Sequence, residues 1–242
     1  MNQLNMTMQE LVGEAAAFGI DLSPQQVALF ARYQSLLQSW NRRMNLTAIN
    51  DAHGIRLRHF LDSLSCVTVT GNLDGQRMID VGSGAGFPGL PLRILYPELK
   101  LTLLESVTKK VRFLQAVVDE LGLQNVQIVD ARAETVGQDE DFREQYDWAI
   151  ARAVASLNVL LEYLLPLCRL GGHALAMKSA DAQSEAREAA QAITILGGAE
   201  PHLQPVRLPQ REETYYLVVV KKLAPTPLEF PRRPGRPAKR PL

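Results

Sequence analysis

Cysteine is nearly absent: the 242 residues hold only Cys66 and Cys168, far apart and in no C-x-x-C spacing. That argues against a disulfide framework and a cysteine-based zinc site, and it makes a reducing compartment the default. No apolar run approaches the roughly 18 residues of a membrane span. The opening "MNQLNMTMQE" has neither a basic stretch nor an apolar one, so no secretory signal is expected. Net charge is missing as well, since 26 Lys and Arg balance 26 Asp and Glu. That sum by itself argues neither for nor against a polyanionic partner. A cytoplasmic protein without membrane attachment is expected.

What the chain does have is apolar content and segregated charge. Its hydrophobic fraction of 46% supports a sizeable core, and 21% charged residues is ordinary for a soluble domain. The stretch from Asp119 to Asp147 holds nine acidic residues against Arg132 and Arg143, whereas the last twelve residues, "PRRPGRPAKRPL", hold Arg232, Arg233, Arg236, Lys239 and Arg240 and no acid. Such a map can seat a polyanion on one side of a neutral molecule. A plain solvated end is the competing reading of that tail.

The N-terminal part reads as helical. "SPQQVALFARYQSLLQSWNRRMNLT" opens with Ser23 as N-cap, Pro24 at the first helical position and Gln26 at capping-box spacing. Val27, Phe30, Leu36, Leu37 and Trp40 then form an apolar stripe, and "RLRHFLDSLSCVTV" predicts another helix. From Arg77 the pattern becomes short apolar runs separated by helices. "RMIDV", "KLTLLES", "NVQIVDA", "YDWAIARA" and "GGHALAMKS" predict five strands. Between them, "VTKKVRFLQAVVDELGL" places Val107, Val111, Leu114, Val118 and Leu121 on one helix face, and "SLNVLLEYLLPLC" reads as another helix. "AEPHLQPVRL" and "TYYLVVVKKL", joined by "PQREE", predict a closing antiparallel pair. The alternation argues for an α/β fold with an open, mostly parallel sheet covered on both faces.

"DVGSGAGFPG" follows the first strand of that sheet, where ligands sit beyond strand carboxyl ends. Glycines there let the backbone turn tightly and approach a ligand. Pro88 suits the first position of the following helix. Two frames fit. Gly84, Gly86 and Gly89 match the G-x-G-x-x-G of dinucleotide sites. Asp80 with Gly82, Gly84 and Gly86 matches the D-x-G-x-G-x-G of S-adenosylmethionine-dependent methyltransferases. The second fits better: its first glycine comes directly after the strand, and Asp80 brings a carboxylate suited to an ammonium or sulfonium and poorly suited to a pyrophosphate. Glu105, 19 residues past Gly86, closes the second strand, where a carboxylate can accept ribose hydroxyls in either class.

Further landmarks fall into register over nearly the whole chain: "WNRRMNLTAI", "RHFLDSL", "IDVGSGAGFPGLPL", "KKVRFL", "ARAVASL", "AMKS" and the tail. Together they resemble the bacterial glucose-inhibited division protein B family, whose members methylate N7 of a guanine in small-subunit (16S) ribosomal RNA. The resemblance implies a Rossmann-like class I methyltransferase with a mostly parallel seven-stranded sheet, a C-terminal antiparallel hairpin and an N-terminal helical cap. It divides the chain into a helical region 1–72, a methyltransferase domain 73–224 and a basic tail 225–242. It implies S-adenosyl-L-methionine as cofactor, 16S rRNA or the small ribosomal subunit as partner, and a monomer. Asp80, Gly82, Gly84, Phe87, Glu105, Ala133, Glu134 and Arg152 would bind the cofactor, Phe87 covering it and Ala133 and Glu134 meeting the adenine. Arg152 and Lys178 would place the guanine or its phosphate. The family more often has Lys-Gly where this chain has Lys178-Ser179. No metal is implied, and no general base, because guanine N7 carries no proton. Arg42, Arg43, Arg58, Lys178, Arg232 and Arg233 would bind RNA, with Arg56 in the same basic region. Core packing for Phe87 and ion pairing for Arg152 compete with these roles, and His53 and His59 read as packing or capping residues. A nicotinamide-dependent reductase and a non-catalytic RNA-binding assembly factor are the alternative functions.

Overall fold

The computed structural model describes residues 3–152, 155–210 and 212–242. Ala153 and Val154 of "ARAVASL" and Arg211 of "PQREE" lie outside the described residues. Among the described residues seven strands form one sheet: β1 Arg77–Val81, β2 Lys100–Glu105, β3 Val126–Asp130, β4 Tyr146–Arg152, β5 Cys168–Lys178, β6 His202–Val206 and β7 Tyr215–Lys221, in the order β3-β2-β1-β4-β5-β7-β6. The first five are parallel, and β7 runs antiparallel to both β5 and β6. The order reverses between β1 and β4, so a crevice opens at their carboxyl ends.

Helices α1 (Gln3–Ala15), α2 (Pro24–Met44), α3 (Gly89–Leu95) and α4 (Thr108–Leu121) help build the core on one face of the sheet. A second core gathers α6 (Leu157–Leu164), α7 (Ala182–Glu188) and α8 (Ala190–Ile195) on the other, with the short α5 (Ala133–Val136) between β3 and β4. The capping box of α2 forms as the sequence predicts, with Gln26 Nε2 reaching further to Leu95 O at 2.9 Å, so the start of α2 also satisfies the end of α3. In α4 the buried face is Phe113, Leu114, Val117, Val118 and Leu121. Val107, expected on that face, stands one residue ahead of the helix and is exposed, its N–H held by Glu105. The helix predicted over "RLRHFLDSLSCVTV" is interrupted: Arg56–Leu61 is a π-helical turn, followed by Asp62–Leu64 and Val67–Thr70. Among the described residues no helix is long and apolar enough to cross a membrane.

The C-terminal segment does not dangle in solvent. Phe230 and Pro231 are buried, and Arg143 donates to the carbonyls of Thr226 (2.7 Å) and Phe230 (2.7 Å). Gln138 Nε2 donates to Pro231 O at 2.8 Å. The segment ends in a short helix, α9 (Arg236–Lys239), and Asn158 Nδ2 donates to Leu242 O at 3.1 Å. A solvated end is therefore excluded.

Candidate active site

The turn after β1 takes its shape from three left-handed glycines, Gly82 (φ 70°), Gly84 (φ 61°) and Gly86 (φ 94°). They do different work. At Gly84 an added Cβ would stand in nearly open space, 3.8 Å from the nearest atom, whereas at Gly86 it would press on Leu90 and lie 2.6 Å from the Tyr33 hydroxyl. Gly84 thus exposes backbone to the crevice, and Gly86 lets the turn press against the helical layer. The turn is tied to β2 by Gly82 N–H and Ser83 N–H donating to Leu104 O (2.8 and 3.1 Å). Glu105 completes the tie: Oε2 accepts from Gly84 N–H (2.9 Å), Oε1 from Ser106 N–H and Val107 N–H (2.8 and 2.9 Å). A carboxylate offers about four lone-pair positions, so Oε2 retains acceptor capacity toward a ligand hydroxyl.

Asp80 corrects the sequence reading. Its side chain is fully buried beneath the turn, where Oδ2 accepts from Gly89 N–H at 2.9 Å. Alternation along β1 sends it inward, so it caps α3 and touches no crevice. Oδ1 has no hydrogen-bond partner among the described residues, and burial pushes the carboxyl up to about 7 against the opposing pull of Gly89 N–H and Arg152. Pro88 accordingly precedes the helix, which begins at Gly89. The first helical N–H is thus already taken by a protein carboxylate, which disfavours a dinucleotide phosphate there.

Phe87 forms no lid. Its ring is buried in an aromatic cluster, stacked with His59 (4.4 Å between centroids) and Tyr33 (5.4 Å). The sequence motif "WNRRMNLT" explains how His59 gets there. Asn41 Oδ1 accepts from Leu46 and Thr47 N–H (2.6 and 2.9 Å), folding the chain back so that the Thr47 hydroxyl meets His59 Nε2 at 3.0 Å. Burial, then the charges of Arg152 and Arg58, pull the imidazole down to about 3, so it is neutral at pH 7.

Arg152 ends β4 beside this cluster. Nη1 donates to Asp62 Oδ2 (2.9 Å) and to Arg58 O (2.9 Å), and the guanidinium lies over the Phe87 ring. Lys178 ends β5 and pairs with Glu185 (2.7 Å) while donating to Ala155 O (2.9 Å). Both line a cavity of about 430 Å³, with Arg58, His59, Asp62 and Tyr216 among its other walls. A second cavity, about 160 Å³, lies on the β1-β2-β3 side and is lined by Gly82, Leu104, Ser106, Ala133, Glu134 and Tyr163, among others. Val81 and Gly82, at the end of β1, line the smaller cavity, and the ends of β4 and β5 line the larger. Sequence reasoning missed Tyr163, which closes the small cavity from α6; nothing in "LLEYLL" marks it apart from core.

The expected RNA-binding residues divide. Arg42 and Arg43, in the last turn of α2, are exposed, as are Arg58 and Arg233. Arg56 is not available: it is buried and paired with Glu14 (2.6 Å) and Glu10 (3.2 Å). Arg232 is likewise committed, clasping the wholly buried Glu162 through Nε (2.8 Å) and Nη2 (2.5 Å). A guanidinium holding a buried carboxylate leaves that charge stranded if it turns to a phosphate.

Comparison with known proteins agrees with the turn. The family profile described as rRNA small subunit methyltransferase G matches residues 26–214. The ribosomal RNA small subunit methyltransferase G of Roseiflexus castenholzii is 52% identical over 97% of this chain and 100% of its own length. That of Alkaliphilus metalliredigens is 46% identical over 93% of this chain and 94% of its own. Among solved structures, an S-adenosylmethionine-dependent O-methyltransferase from Thermotoga maritima superposes with a TM-score of 0.52 at 17% identity, covering 67% of this chain and 65% of that one. TrmN from Thermus thermophilus gives 0.52 at 18% identity over 69% and 53%. These two likenesses concern the fold.

Proposed function

Because the chain belongs to the rRNA small subunit methyltransferase G family, we propose that it transfers a methyl group from S-adenosyl-L-methionine to N7 of a guanine in 16S ribosomal RNA. It works in the cytoplasm as a monomer free of membranes, and its partner is the small ribosomal subunit or an assembly intermediate of it. The observation that carries the reading is the recess lined by Gly82 at the end of β1, together with the larger cavity that Arg152 lines at the end of β4.

The residues fit the cofactor. Gly82 and Gly84 bare backbone at the crevice, and Ala133, Glu134 and Tyr163 wall a recess beyond β3 for the adenine. Glu105 stands at the end of β2 for the ribose. Asp80 acts through the helix end it caps, and Phe87 acts by supporting Arg152. When bound, S-adenosylmethionine supplies an electrophilic methyl carbon on a sulfonium.

The rest is the work of the chain. Guanine N7 presents an in-plane lone pair and no proton, so no side chain has to remove one. His59, neutral and buried, serves by stacking on Phe87. Arg152 and Lys178 orient the base or its phosphate in the larger cavity, and the apolar walls Met177 and Leu217 exclude water from it. Rate enhancement comes mainly from fixing donor and acceptor in line. Arg42, Arg43, Arg58 and Arg233 supply phosphate contacts.

The test is transfer of a labelled methyl group from S-adenosylmethionine to small subunits from cells lacking this protein, with the modified base then mapped. Label at one N7-methylguanosine is expected. Absence of label, with the cofactor shown to bind, would overturn the reading in favour of a non-catalytic assembly factor.

A further inference from the structure

The C-terminal segment, expected from its charge to serve RNA, is packed against the back of the smaller cavity. Two of that cavity's walls, Glu134 and Tyr163, come from α5 and α6, and the segment grips both helices. On α5, Glu134 Oε1 accepts from Gly235 N–H at 2.8 Å. One residue past α5, Gly137 meets Pro231 so closely that an added Cβ would lie 2.6 Å from Pro231 Cγ. On α6, Glu162 is clasped by Arg232 through its backbone N–H (2.8 Å) as well as its guanidinium. Tyr163, next in sequence, lines the same cavity as Glu134, and burial joined by that nearby charge pushes the phenol up to about 12.

From this geometry we propose that residues 231–235 position the adenosine end of the cofactor site, with Arg232 and Gly235 as positioning residues that fix Glu134 and Tyr163. The segment then contributes to cofactor affinity without touching the cofactor. The inference rests on the methyltransferase reading above. Coupling of this kind is reciprocal: whatever docking of the segment adds to cofactor binding, bound cofactor adds to docking.

The test is calorimetric titration of S-adenosylhomocysteine into the full chain, paired with hydrogen exchange at the Gly235 amide. Arg232→Ala is expected to weaken binding on the order of tenfold, with Arg232→Lys intermediate because an ammonium cannot form the two-pronged clasp. Gly137→Ala attacks the same docking from the opposite side and is expected to act in the same direction. Arg240→Ala, an exposed position on the same segment, is expected to leave affinity unchanged. In the unaltered protein, ligand is expected to slow exchange of the Gly235 amide, a readout that stands even if a variant fails to fold. Unchanged affinity in a folded Arg232→Ala whose segment has been released, or ligand-independent exchange at Gly235, would overturn the proposal. Failure of the unaltered chain to bind S-adenosylhomocysteine at all would instead sink the methyltransferase reading beneath it.

Discussion

Arg152 and Phe87 meet face on: the guanidinium carbon sits 5.1 Å from the ring centroid, joining the end of β4 to the turn after β1. Asp62 holds the same guanidinium from the helical layer. The side chain proposed to orient the base is therefore fixed from both directions before any ligand arrives. Arg152→Ala is expected to lower kcat/KM for subunit methylation by about 10- to 100-fold, the range for one charge-assisted hydrogen bond. Arg152→Lys should recover only part, lacking the fork. Measured turnover equal to the parent would remove Arg152 from the site.

The glycines of the turn are separable by substitution. Gly84→Ala adds a methyl group to open space and costs only left-handed strain, about 1–2 kcal/mol. It should fold and bind S-adenosylmethionine poorly. Gly86→Ala drives a methyl group into Leu90 and Tyr33, and overpacking added to that strain should cost about 3 kcal/mol or more. Urea titration alongside cofactor titration distinguishes the two outcomes.

Two buried groups tilt stability in opposite directions with pH. Asp80, raised to about 7 by burial, binds its proton more tightly in the fold than in the unfolded chain. Its contribution is complete below pH 4 and is lost as pH rises through 7. His59, lowered to about 3, stays neutral in the fold while the unfolded chain protonates. Its contribution is present above pH 6.5 and is lost as pH falls toward 3. Between pH 4 and 6.5 they largely cancel. Asp80→Asn should therefore unmask a stability that rises with pH over that window, by about 1.4 kcal/mol per unit relative to the parent. Urea midpoints at pH 4.5, 5.5 and 6.5 measure it.

The two neighbouring arginines of the tail should differ in their response to salt. Arg233 is exposed, whereas Arg232 is spent on Glu162. Arg233→Ala should flatten the log–log dependence of RNA affinity on salt by roughly 0.7–0.9. Arg232→Ala should leave that slope where it was. Filter binding at several salt concentrations reads both, and a slope for Arg233→Ala equal to the parent's would show that Arg233 reaches no phosphate.

How far the sequence reveals this molecule depends on the reach of each interaction. The strands are legible because burial on both faces turns them into short apolar runs, and the start of α2 is legible because Ser23 and Gln26 stand three residues apart. The glycine turn is legible because few residues other than glycine tolerate those φ values. Arg232 reads as a free cation in the sequence because its partner Glu162 lies 70 residues away, and nothing local tells a clasped arginine from a free one. The sequence does not reveal that Asp80 is buried, because a motif gives residue type and not the side of the strand. His59 and Tyr163 are not legible as cavity walls, because stacking and cavity closure leave no periodic trace in "RHFLDSL" or "LLEYLL".

The small and large cavities share no lining residue among the described residues. If donor and nucleic acid take one each, as proposed above, neither has to leave before the other can arrive, and a steady-state scheme with no obligatory sequence of arrivals or departures is expected.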